Sequence, residues 1–174
     1  MSILDIVSHT PVWVWVLFAF LLFQGLLAMR TRKTMLVRVF LLPVFFFAWG
    51  LYAILTELPG WPMALGAFAL VIGIGFLVGW TMASHFPATS YDRAARRVMR
   101  PGTPLTLILI IIAFGAKYAL SVGIVVNPEL SMTTGFSILY GTTSGLISGA
   151  FWGVTVLQLL QAFGYIERAD PPPA

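Results

Sequence analysis

The stretch that decides the fold is Gly141-Thr-Thr-Ser-Gly145-Leu-Ile-Ser-Gly149-Ala-Phe-Trp-Gly153, in which glycine recurs at every fourth position. Residues four apart share one face of an α-helix, so these glycines draw a stripe of bare backbone about three turns long. Each glycine costs a soluble helix up to about 1 kcal/mol relative to alanine. Such a stripe makes sense where another surface packs closely against it. The composition says in what solvent that happens. Of 174 residues, 59% are hydrophobic and 9% charged, whereas a water-soluble domain carries roughly 25% charged residues. Several nearly uncharged runs of about 20 residues are each long enough to cross a hydrocarbon core of ~30 Å. Backbone in lipid must satisfy its own hydrogen bonds, so these runs are helices; the short alternating segments of a membrane β-barrel are not seen. The expected fold is an all-α integral membrane protein, a five-helix transmembrane bundle forming one polytopic domain over residues 1–166.

Working outward, the spans fall at about 11–29, 35–55, 62–83, 104–126 and 134–163. Thr10-Pro11 and Thr103-Pro104 are helix-start signals, and Asn127-Pro128 is a stop. Pro43 should kink the second span by removing one backbone hydrogen bond. Gly75, Gly79 and Ala83 place a second small-residue stripe on the third span, a matching face for Gly141, Gly145, Gly149 and Gly153 in close helix packing or a homo-oligomer. The fifth span is rich in Ser and Thr in its first half, which predicts the most enclosed helix of the bundle. Residues 84–103 form a hydrophilic loop and 167–174 a polar, proline-rich tail.

Orientation follows from the basic residues. Arg30, Arg32, Lys33, Arg38, Arg93, Arg96, Arg97, Arg100 and Arg168 all fall on one side, nine of the ten Lys and Arg. The opposite loops carry Asp5, Glu57 and Glu129. The positive-inside rule makes the basic side cytoplasmic, with the N-terminus outside and the C-terminus inside. The N-terminus carries Asp5 and no basic residue, so the first apolar run is expected to remain as an anchor. The net charge of +4 is thereby explained by topology, without nucleic acid.

Chemistry-bearing groups are few. There are no cysteines, and His9 and His85 have no ligand-like spacing, so no catalytic, cofactor or metal site is expected and the chain reads as non-enzymatic. Lys117 is the one basic residue off the cytoplasmic side, near the middle of the fourth span, where an ammonium costs about 2.5–3.5 kcal/mol and usually faces the bundle interior. It either snorkels toward Glu57 and Glu129 or lies on a substrate path with Thr142, Ser144 and Ser148. Around 89–100, apolar Tyr91, Ala94, Ala95, Val98 and Met99 alternate with Arg93, Arg96, Arg97 and Arg100 at helical spacing, with Thr89 and Asp92 as a capping box. This predicts either a short interfacial helix whose arginines meet anionic headgroups, or a β-hairpin.

Arg100-Pro101-Gly102-Thr103-Pro104, Phe114, Lys117-Tyr118, Ser144-Gly145, Gly149 and Gly153 resemble a family of small bacterial inner-membrane proteins described only as a domain of unknown function. The resemblance implies a compact five-helix membrane protein and supplies no activity or cofactor. The leading functional expectation is a non-enzymatic inner-membrane protein, an assembly or accessory factor or a self-associating one. The alternatives are a small conduit or transporter using Lys117, and a membrane enzyme acting on a lipid or isoprenoid.

Overall fold

The computed structural model describes residues 11–92 and 97–166. Arg93, Arg96 and the tail 167–174 lie outside the described residues, as does Thr10. The elements in order are α1 (Val12–Ala28), β1 (Arg32–Thr34), α2 (Leu36–Val39), α3 (Leu41–Glu57), α4 (Trp61–Ser84), β2 (Ser90–Asp92), β3 (Arg97–Arg100), α5 (Leu105–Val126), a 3-10 turn (Pro128–Met132) and α6 (Thr134–Ala162). By length and composition α4, α5 and α6 can each cross a membrane, while α1 and α3 are apolar but shorter, at 17 residues each.

The helix ends follow local chemistry. Pro11 and Pro104 occupy the N-cap positions of α1 and α5. Thr133 caps α6, its hydroxyl accepting from the Phe136 amide at 3.3 Å. The single kinked helix expected over 35–55 is instead two helices, divided at Phe40. Pro43 explains the position of the break. It has no amide hydrogen to give the carbonyl four residues back, that of Val39, and its ring crowds that carbonyl.

Residues 90–92 and 97–100 are strands, so the helical reading of this loop does not hold there. β3 pairs antiparallel with β2 (Tyr91 opposite Val98) and with β1 (Lys33 opposite Met99), giving the order β1-β3-β2. Alternate residues face opposite sides of a strand; Val98 is buried while Met99 is exposed. A helix of about three turns is marginal alone, whereas β3 finds partners on both edges. Thr89, read as a helix cap, is instead buried, its amide donating to Gln161 Oε1 at 3.3 Å.

The centre of the molecule is α6. In its most apolar stretch 61% of residues are buried, against 22% for α4 and 28% for α5. Its glycine stripe lies directly on α4. A Cβ added at Gly141, Gly149 or Gly153 would overlap the carbonyl of Ala64, Ile72 or Phe76, and one at Gly145 would come within 2.6 Å of the Phe68 carbonyl oxygen. In return, Gly75 and Gly79 of α4 meet the backbone of Leu146 and Ala150 on α6. The partners advance together along both helices, so α4 and α6 run parallel. Lipid offers no hydrophobic drive between helices, so this backbone-to-backbone contact carries the association.

The other helices surround this pair. α3 runs antiparallel to α6, with Phe46 stacked on Phe151 at 4.6 Å and Phe47 edge-on to Phe68 of α4 at 5.6 Å. α5 is also antiparallel to α6. α1 packs on α5 through Phe18 and Phe114, whose rings stack at 4.4 Å, and through Gly25 against Leu107. The segment entering α5 is tied to the end of α1: the Thr103 amide donates to the Ala28 carbonyl at 3.1 Å, and that of Gly102 to Thr31 Oγ1 at 3.3 Å. Gly102 lies so close to the Met29 carbonyl that a side chain would overlap it.

Candidate functional site: a buried lysine between three helices

Lys117 is fixed in place by its helix. The run from Leu105 to Val126 is apolar apart from a few hydroxyls and this ammonium, and the side chain points inward from α5, 2% exposed. It does not snorkel to the surface. Its Nζ donates to Ser144 Oγ on α6 at 2.6 Å, and Ser144 in turn donates to the Tyr140 carbonyl at 2.7 Å. The same Nζ stands 4.5 Å from the centroid of the Tyr140 ring. A cation over an aromatic face is worth up to about 2 kcal/mol when desolvated.

Tyr140 connects the lysine to the outside. Its phenol donates to Glu57 Oε2 at 3.1 Å, and Glu57, the last residue of α3, is exposed. The carboxylate therefore meets the phenol rather than the ammonium. A carboxylate accepting the phenolic proton also enriches the ring that faces the cation. Ser121, one turn beyond Lys117 on α5, stands beside the same phenol.

One turn further along α6 is Ser148. It is fully buried, and its Oγ has no hydrogen-bond partner among the described residues. Facing it across the contact with α3 is Gly50, where an added Cβ would lie 3.6 Å from Ser148 Oγ, Ser144 Cβ and Phe68 Cε2. Tyr140, Ser144 and Ser148 thus form a polar edge on α6, about 100° around from the glycine stripe.

Of the residues selected from sequence, Lys117, Glu57, Ser144 and Ser148 are brought to one region. Thr142 is not: it lies about 200° around α6 from both Tyr140 and Ser144 and is half-buried. Glu129 sits exposed on the 3-10 turn, where it caps nothing of this cluster. Two contributors escaped sequence reasoning. Tyr140 is legible only as the residue four before Ser144, and Gly50 gave no periodic signal. Among the described residues, no three His, Asp or Glu come together as metal ligands.

The model of a family of unknown function, DUF6622, matches residues 1–164. The chain belongs to this family. The match covers every helix described above and the whole Lys117 cluster. No curated protein and no solved structure matches the chain significantly.

Proposed function

We propose that this DUF6622 member is a non-enzymatic, five-span inner-membrane protein, N-terminus outside and C-terminus cytoplasmic, that acts as a small conduit or transporter for an ion or small molecule. The observation that carries the reading is the enclosure of Lys117 against Ser144, on a polar line that emerges at Glu57. An ionisable group inside a membrane protein is costly and usually marks a path or a switch. The directions of the helices support the topology. α1, α4 and α6 run one way and α3 and α5 the other, as five alternating spans require. A reporter fused after Ala174 should read cytoplasmic; a periplasmic reading would overturn the orientation.

The conduit is tested by reconstituting the protein in vesicles and following ion or proton uptake. Lys117→Met should reduce the rate by about tenfold or more, as expected when a charged element of a path is removed. Rates equal to wild type would sink this reading.

A second reading, an accessory or self-associating membrane protein, draws on a different observation. Gly66 and Gly73 lie on the outer side of α4, and a Cβ at either would meet nothing within 4 Å. Gly73 also borders an open apolar groove with Ile72, Phe76, Gly149 and Trp152. The inner glycines are taken up within the chain, so any association would use this outer face. This reading stands if uptake is indifferent to Lys117.

A further inference from the structure

The polar line that reaches Lys117 ends against an apolar layer. Glu57, Tyr140, Lys117 and Ser144 follow one another by direct contact. Ser148 stands one turn on, fully buried and without a hydrogen-bond partner among the described residues. About two turns past Ser144, on the same face of α6, comes Phe151. Its ring lies flat on that of Phe46 from α3, at 4.6 Å and 6°. Phe46 is one turn of α3 from Gly50, which lies against Ser144 and Ser148. The stacked rings therefore close the α3–α6 seam immediately beyond Ser148.

The third wall repeats the pattern. α5 runs antiparallel to α6 with Lys117 against Ser144, so about two turns back toward its start bring Ile110 to the level of Phe151. Phe46, Ile110, Ala113 and Phe151 are buried in one cluster. About one turn further, hydroxyls return on both helices, Thr106 on α5 and Thr155 on α6, each buried. Polar, apolar and polar layers thus fall at matching depths on two separate helices. An apolar constriction between polar stretches blocks water and ions by dewetting, which is how hydrophobic gates work in channels.

We propose that Phe46, Phe151 and Ile110 form the seal of the conduit, so that Lys117 communicates with the Glu57 face and passage to the opposite face requires this layer to part. The proposal rests on the conduit reading and adds the point at which flow is controlled. The chain has no cysteine, so one introduced at Ser148 is the only thiol. Full-length Ser148→Cys protein in oriented vesicles would be treated with silver nitrate, a small thiol-reactive cation, from one face or the other. Protection is then read by maleimide labelling after denaturation. Silver from the Glu57 face should protect the thiol about tenfold faster, or more, than silver from the opposite face.

The decisive comparison breaches the seal without emptying the core. Ile110→Thr and Ile110→Val give side chains of one shape that differ by a hydroxyl for a methyl. Ile110→Thr should exceed Ile110→Val by about tenfold, both in silver access from the opposite face and in vesicle uptake. Phe151→Thr and Phe151→Val should fall in the same order. The seal is overturned if silver reaches Ser148→Cys equally from both faces, or if the Thr and Val variants behave alike at Ile110 or at Phe151. Its failure can be told from failure of the conduit. Uptake that depends on Lys117 but is equal in the Thr and Val variants would overturn the seal and leave the conduit standing. One-sided silver access that Ile110→Thr abolishes, without uptake by any form, would support the seal and remove the conduit.

Discussion

Gly149→Leu is expected to unfold the bundle in mild detergent at a temperature where the wild type is intact. The Cβ alone would overlap the Ile72 carbonyl and stand 2.7 Å from the Phe76 amide nitrogen. Both are backbone atoms inside α4, so no rotamer change relieves the contact and the two helices must separate. Overpacking a tight core costs about 1–3 kcal/mol when side chains can adjust. Here they cannot, and the loss should reach the top of that range or exceed it. Gly79→Leu, against the Ala150 carbonyl, should behave alike from the opposite helix. Gly66→Ala and Gly73→Ala are the controls, since each has open space and alanine favours helix by up to about 1 kcal/mol. Melting curves that place Gly149→Leu with these controls would refute the packing account.

The second large effect is an asymmetry at the lysine. Ser144→Ala removes the acceptor at 2.6 Å and strands a buried ammonium, which should cost about 1.5–3 kcal/mol. Lys117→Met should cost far less, or stabilise. It deletes the charge while Ser144 keeps its own bond to the Tyr140 carbonyl and Tyr140 keeps Glu57. Replacing a buried charge with an apolar group of similar shape is often neutral or favourable. The double variant should therefore match Lys117→Met rather than the sum of the two. The resulting coupling, about 1.5 kcal/mol or more, is read from a double-mutant cycle. Additive losses would mean that Ser144 and Lys117 do not act on each other.

Much of the site was written in local terms. Lys117 stands alone in an apolar run, and Ser144 and Ser148 sit at helical spacing beside the glycines. What could not be read was which neighbour each would meet. Glu57 and Glu129 looked equivalent from sequence, both acidic and both in outer loops. Glu57, at the end of α3, reaches the Tyr140 phenol and so joins the cluster, while Glu129 stays exposed on the 3-10 turn. Thr142 resembles Ser144 in composition, and two residues of helix turn it to another face.

The loop over 89–100 shows the same division. Its apolar spacing satisfied a helix and a hairpin alike, because a segment this short carries too few residues to separate a period near four from a period of two. The partner strand settled it, and that strand, Arg32–Thr34, lies in a loop some 65 residues earlier. The sequence by itself determined the solvent, the helical runs and the stripes of small residues, since these depend on hydropathy and on spacing along one chain. The tertiary structure decided the register in which the α4 and α6 backbones touch, from Gly141 against Ala64 to Gly153 against Phe76. It also decided that a lysine, a tyrosine and two serines share one interior, because the register between separate helices is set by the close approach of backbones and not by any property of either helix alone.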